Sequence, residues 1–411
     1  MSASADSPHA AVEPVGPSIA RQWLLLAGLT FGLCITNGFA RFAYGLLLPA
    51  MKVEFGWTYA QAGWLNTANA LGYVVGAIAS FVLIRRFSPA LLFNIGVVTT
   101  MITLMATGFG ESLTGQTVWR FLTGAFGALS FSTGGALAAA LFPGDVRRNA
   151  LSIAIYFGVG GGLGILLAGV TLPWVLDHYG TAGWPYGWVA IGIMSILLTP
   201  LSLWAGTVLR PPANAQRPSA ARLPARAMLG TICGYGGFGM GYIVYLTFIA
   251  AWMTERNAGA MEVSLAWVVM GTGIVVSPFV WRGILARSDS GLPLALVLVS
   301  LAAGTVMPIL IPGMVGLFLS AGVVGLAVFM SPGAVTNFAR KNLPQPVWGQ
   351  AISLYTLVFA VTQTVGPIGA GIVGDLTHDI GNALLAAAGI LMTGALCAIL
   401  QRPLQPGAAG P

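Results

Sequence analysis

WLLLAGLTFGLCITNGFARFAYGLLLPAM, residues 23–51, carries a single charge in twenty-nine positions. A helix needs about 20 apolar residues to cross the hydrocarbon of a bilayer, and this run supplies them. The one charge, Arg41, stands deep inside it. About ten residues separate it from the end of the run, which at 1.5 Å per residue buries it about 15 Å deep. A cation at that depth is costly, and such residues usually face a bundle interior or a water-filled cavity. Snorkelling of the side chain recovers only part of the distance. At helical spacing Asn37, Arg41, Tyr44 and Leu48 fall at i, i+4, i+7 and i+11, on one face. Arg41 therefore shares its face with an amide and a phenol. Two readings fit: contact with an anionic substrate, or an arginine that ties helices together through backbone carbonyls.

The rest of the 411-residue chain places this helix in context. Hydrophobic residues make up 56% and charged residues 7%, with a mean hydropathy of +0.84. Average soluble domains are about a quarter charged, so this chain could not cover a water-facing surface. It reads as a polytopic membrane protein. Its 56 glycines agree, because glycine lets transmembrane backbones approach closely. Cys34, Cys233 and Cys397 fall in apolar segments without CxxC or Cys/His spacing. They read as small buried hydrophobes, neither disulfides nor metal ligands.

Apolar runs long enough to span occur twelve times, at 22–51, 58–84, 88–109, 114–142, 149–176, 184–209, 227–254, 262–286, 291–311, 313–339, 347–374 and 381–401. The expected fold is all-α and integral to the membrane, with twelve helices as two six-helix bundles. Residues 22–209 form the first bundle and 227–402 the second. A basic, proline-rich cytoplasmic linker at 210–226 joins them. Residues 1–21 and 403–411 read as cytoplasmic tails, the first of them disordered. The first tail lacks the basic start of a signal peptide, so the first helix is expected to stay in the mature chain.

Lysine and arginine orient the chain. With the N-terminus inside, fourteen of them fall on the cytoplasmic side and only Lys52 and Arg256 on the other, as the positive-inside rule requires. The net charge of +7 is thus topology, and nucleic acid is not an expected partner. The halves also resemble each other. GFARFAYGLLLPAM from Gly38 aligns with GMGYIVYLTFIAAW from Gly239, at an offset of 201 residues. Gly38 then meets Gly239, Arg41 meets Tyr242 and Tyr44 meets Tyr245. Ser152 pairs with Ser353 at the same offset. Repeated halves around a central path are a transporter architecture, with the substrate site near the midplane.

These features resemble the major facilitator superfamily over essentially the whole chain after the tail. The resemblance rests on the six-plus-six layout and on RFLTGAFG in the fourth helix, similar to that family's R-x-x-x-G signature at Arg120 and Gly124. It rests also on the glycine clusters GVGGGLG, 158–164, and GPIGAG, 366–371. RFAYGLLLPAM is similar to the YbfB/YjiJ-type branch. The loop after the second helix departs from the superfamily pattern. FVLIRRFSP puts Phe81 where glycine is usual and Arg85 where aspartate is usual, so the gating ion pair credited to that aspartate cannot form in the same way. A Gly-Pro step, usual in the fifth helix of antiporters, occurs here in the eleventh, at Gly366 and Pro367. The resemblance implies a bacterial inner-membrane carrier, expected to act as a monomer, with proton coupling expected by family analogy alone.

The charge inventory points to what is carried. All eleven acidic residues fall in tails, loops or helix ends, so neither Arg41 nor Arg120 has a carboxylate at its depth. An unpaired buried charge costs several kcal/mol. Water, helix carbonyls or an anionic ligand must offset it. A small organic anion is the expected substrate, most simply a carboxylate, which the arginine fork meets with two hydrogen bonds. Arg120 is shallower, about six residues into the fourth helix, and its structural reading is the stronger one: it could cap helix ends or hold the first and fourth helices together. Other candidate lining residues are Asn66, Asn69 and Tyr73 on the second helix, and Tyr156 on the fifth. Tyr235, Phe238, Tyr242 and Tyr245 form an aromatic face on the seventh, and Tyr355 and Gln363 lie on the eleventh. Aromatic faces commonly serve packing, but phenols and amides in hydrocarbon each need a polar partner. An aromatic acid would use both arginines and rings. No enzyme chemistry, cofactor or metal site is expected. GYGGFG, 234–239, matches a nucleotide-loop pattern but lies inside an apolar helix. The runner-up function is export of drugs or metabolites.

Overall fold

The structure, a computed structural model, describes residues 18–142, 145–209 and 223–404. Most of the expected N-terminal tail, the linker at 210–222 and the last seven residues lie outside them. Twelve helices are long and apolar enough to cross a membrane. The first six are α1 (Ile19–Phe55), α2 (Tyr59–Leu83), α3 (Pro89–Thr107), α4 (Leu113–Ala139), α5 (Arg147–Tyr179) and α6 (Thr181–Val208). The second six are α7 (Ala225–Glu255), α8 (Ala260–Arg287), α9 (Leu292–Leu310), α10 (Met314–Asn342), α11 (Gln345–Thr377) and α12 (Ile380–Ile399). No strand occurs among the described residues. Each helix matches an expected span, with ends displaced by a few residues.

Local chemistry explains the ends. Ser18 accepts the Arg21 N–H and starts α1 three residues before the apolar run. Thr58 and Gln61 form a reciprocal capping box at α2. Ser88 with Pro89, Ser112 and Asp379 start α3, α4 and α12. Gly56, at φ +64°, closes α1 in the left-handed region that glycine adopts without strain.

α1 is not regular. Cys34–Phe42 is wound as a π-helix between two α-helical stretches. A shorter π segment, Ile155–Val159, interrupts α5. Such segments are rare, and they are frequent at functional sites. The segment in α1 packs on α5 where Gly38 meets Gly164. A Cβ on Gly38 would lie 2.6 Å from the Gly164 Cα.

Within the first bundle α2 lies against α4 through Gly72, Gly76 and Gly124, each facing backbone of the neighbouring helix. Within the second, α7 lies against α12 through Gly234, Gly237 and Gly394. The nucleotide-loop look-alike is thus helix-packing glycine. Cys34 is buried, Cys397 is half-buried and Cys233 is exposed. The expectation of three buried cysteines fails at Cys233, which is exposed on α7, because the apolar composition of a helix does not fix which of its side chains are covered.

Three helix pairs bring the two bundles into close contact. α1 and α7 touch where Gly45 faces the Leu246 carbonyl. α2 and α11 touch at Gly63 against the Pro367 carbonyl, and at Gly371 against the Tyr59 carbonyl. α5 and α8 touch at Gly162 against Gly271, and at Gly169 against Trp267. The contacts at Gly45, Gly63, Gly169 and Gly371 lie on the half of the molecule nearer Lys52 and Arg256, and the Gly162–Gly271 contact lies at mid-depth. The halves are therefore shut together on that face. Asp375 near the end of α11 accepts the Tyr59 and Ala60 N–H groups at 2.7 and 2.9 Å, so a carboxylate of the second bundle caps a helix start of the first. Arg256 and Asp379 pair nearby at 3.4 Å.

Candidate functional site

Arg41 lies at the junction of the bundles and is 5% exposed. Its Nη2 donates to the Tyr242 hydroxyl at 3.1 Å and to the Gln363 side-chain carbonyl. The guanidinium lies 4.9 Å from the Tyr73 ring centroid, a cation–π distance. Three helices thus converge on it: α7, α11 and α2. Arg41 and Tyr242 are also the repeat equivalents identified in the sequence, and they are 201 positions apart. Two equivalent residues can touch only near the axis relating the halves, so Arg41 lies close to that axis. Gly45 and Leu246, which meet one turn further along, have the same offset.

Several polar atoms around Arg41 lack a protein partner. They are the Arg41 Nε, the Gln363 Nε2 and the Asn37 Oδ1. Asn37 sits one turn back on α1 and is 7% exposed. Buried polar atoms are normally bonded, so two donors and one acceptor are available here to a ligand or to water.

An aromatic slab adjoins this cluster. Tyr235, Phe238 and Tyr242 of α7 stack in succession, with ring centroids 5.5 and 4.5 Å apart and planes within 20°. Phe359 of α11 stacks against all three at 5.7 Å. Tyr242 ends the slab and directs its hydroxyl to Arg41 and to Gln363, the latter at 3.4 Å. Phe359 was not among the sequence candidates. Its position in the series Tyr355, Phe359, Gln363, at helical spacing of four, is the signal that could have found it.

Arg120 occupies a separate, fully buried position. Its Nη1 donates to the Ala40 carbonyl at 2.7 Å, and its Nη2 donates to the Asn66 side-chain carbonyl at 3.3 Å. Tyr44 stacks beneath it at 4.9 Å and Trp188 lies at 5.8 Å. This cation holds the π segment of α1 against α2 and α4. Asn66 passes the connection on, donating to Thr247 of α7 at 2.6 Å.

The remaining candidates are placed apart from Arg41. The Tyr44 hydroxyl donates to the Ala62 carbonyl, so Tyr44 turns to α2 and not to its expected neighbour Arg41. Asn69 donates to the Arg120 carbonyl at 3.1 Å and binds α2 to α4. Tyr156 donates to the Ser130 and Phe131 carbonyls. Tyr245 pairs with Ser320 at 2.8 Å and Tyr355 with Thr231 at 2.6 Å. Arg41, Tyr235, Tyr242 and Gln363 therefore form one cluster, joined by Tyr73, Phe238 and Phe359.

No group of His, Cys, Asp and Glu fit to hold a metal occurs among the described residues. A cavity of about 470 Å³ opens on the shut face, lined by Lys52, Tyr59, Asp177 and Glu255 among others. Its deepest lining residues on α1 and α7 are Leu46 and Ala250, so it ends short of Arg41. Arg41 and its partners can bind a planar anion and contribute no group for covalent chemistry.

Known proteins agree with this architecture. Residues 33–399 match the family described as "Uncharacterised MFS-type transporter YbfB". A gallate transporter of Pseudomonas putida is 26% identical over 221 residues, 54% of this chain and 46% of that protein. A 4-hydroxybenzoate transporter of Acinetobacter baylyi is 24% identical over 159 residues, 39% of this chain and 34% of that protein. The chain thus spans less than half the length of these relatives. Among solved structures, a bacterial homologue of the human lysosomal transporter Spinster, inward-facing and occupied, superposes with a TM-score of 0.72 at 16% identity, covering 94% of this chain and 97% of that one. The nucleoside transporter NupG gives 0.71 at 16% identity, covering 93% and 99%. These two likenesses concern the fold. With the family match running from the π segment of α1 to the end of α12, the chain belongs to the YbfB-type transporters of the major facilitator superfamily.

Proposed function

We propose that this transporter carries small aromatic monocarboxylates of the hydroxybenzoate kind by alternating access across a bacterial inner membrane. The observation that carries this reading is Arg41, a buried cation without a carboxylate partner, set at the edge of the Tyr235–Phe238–Tyr242–Phe359 slab. The arginine fork suits a carboxylate, and the stacked rings suit a planar aromatic body. The gallate and 4-hydroxybenzoate transporters among the relatives support the same chemistry. A ligand held by α1 on one side and by α7 and α11 on the other contributes differential affinity between open and shut states, which is what drives closure.

Proton coupling belongs to the same proposal. The described spans carry their acids near the ends, at Glu54, Asp177, Glu255, Glu262 and Asp375. The proton then travels with the substrate's own acid, and uptake of one anion with one proton moves no net charge. The basic loops face the cytoplasm in this reading, with the shut face outward.

Thermal-shift and calorimetric titrations of purified protein against 4-hydroxybenzoate, gallate, acetate, benzylamine and glucose test the reading. The two aromatic acids should stabilise the wild type and leave Arg41→Ala unshifted. Stabilisation by benzylamine or glucose alone would overturn it.

A further inference from the structure

We propose that Gln363 is an internal stand-in for the substrate's carboxylate, which substrate must displace from Arg41 before it binds. This rests on the carboxylate reading above. The Gln363 carbonyl accepts from the Arg41 Nη2 and from the Tyr242 hydroxyl. Donors from two bundles thus converge on one oxygen, the arrangement a bound carboxylate oxygen would take. An amide has only one such oxygen. The Arg41 Nε and the Gln363 Nε2 are left without partners, and Gln363 is fully buried, so bulk water does not satisfy them. A carboxylate offers a second oxygen, and its charge strengthens each bond. It would engage both Nη2 and Nε and release the amide.

The residue type suits displacement. A glutamate at this position would form a permanent ion pair with Arg41 and compete with every substrate. An alanine would leave Arg41 with the Tyr242 hydroxyl as its one side-chain acceptor among the described residues. The neutral amide is strong enough to hold α1 to α11 when the site is empty and weak enough to yield. A carrier that performs net transport must return empty through a shut state, and Gln363 supplies the partner that Arg41 needs on that return. Gln363 is therefore a positioning residue for the empty carrier, and exchange of substrate for substrate does not require it.

Two variants test this in calorimetry and in proteoliposomes, with 4-hydroxybenzoate as the probe. Gln363→Ala should bind the probe about ten- to hundredfold more tightly than wild type, the worth of one lost hydrogen bond from a charged donor. It should keep counterflow exchange and lose most net uptake. Gln363→Glu preserves the shape of the side chain. It should raise the apparent melting temperature and weaken probe binding by more than about tenfold, because a buried ion pair must be broken. Weaker binding in a folded Gln363→Ala protein would make Gln363 a direct ligand and overturn the proposal. Unchanged net uptake in that variant, or unchanged affinity in Gln363→Glu, would overturn it as well. Absence of probe binding to the wild type would instead strike the carboxylate reading on which it rests.

Discussion

The two buried arginines separate by what surrounds them. Arg120 spends its guanidinium on the Ala40 carbonyl and Asn66, between Tyr44 and Trp188. Arg41 spends one nitrogen on neutral groups and keeps its Nε free. Their substitutions should therefore behave differently. Arg120→Gln loses charge-assisted bonds worth about 1.5–3 kcal/mol each, and the apparent melting temperature should fall by several degrees. Arg41→Lys should melt near the wild type and lose about tenfold or more in affinity for aromatic acids, because a point charge cannot reproduce the fork. Differential scanning fluorimetry and calorimetry read both. Equal thermal losses in the two variants would contradict the division. In the sequence the two cations differed only in depth, Arg120 being the shallower and the more easily read as structural, and the missing acids were common to both. Only neighbours contributed by other helices distinguish them.

At the level of helices, the π segment of α1 explains which sequence expectations transferred. The α-helical spacing put Tyr44 on the face of Arg41, but Cys34–Phe42 winds with a different period, and Tyr44 turns to α2 and Arg120. Tyr235 and Tyr242, on the regular α7, kept their expected common face. The span count and the alternation of basic loops were legible because they depend on composition alone. Partners such as Ser320 for Tyr245 were not, because they depend on the register between helices. The segment's packing makes Gly38→Ala informative. The new Cβ would meet backbone at 2.6 Å, and overpacking of this kind costs about 1–3 kcal/mol. A melting temperature equal to the wild type would show that α1 and α5 can part at no cost. Asp375 is a second element-scale device, absent from the sequence reading because its partners are backbone N–H groups of α2. Asp375→Ala removes a cap worth about 0.5–2 kcal/mol from the shut face. In a background with Cys34, Cys233 and Cys397 replaced by alanine, thiol labelling of an Ala251→Cys probe in the cavity wall should then rise by roughly two- to tenfold. An unchanged rate would remove Asp375 from the closure.

For the whole molecule, the arrangement of charge gives a further expectation. Cations occupy the centre at Arg41 and Arg120, while the described acids stand at helix ends and loops. Uptake of a monoanion with its own proton should respond to an imposed pH gradient in liposomes and should ignore a potassium-diffusion potential. A current that follows the potential would exclude that stoichiometry.

The contact between Arg41 and Tyr242 bears on how such a molecule can arise. They are the same position of a duplicated half, brought face to face on the axis. Two identical halves would set guanidinium against guanidinium in hydrocarbon, with like charges in apposition and nothing to separate them. At this point the two halves can share one cation between them and not two. The lopsidedness of the pair, arginine on one side and phenol on the other, is thus a condition for building a carrier of anions from two matching parts.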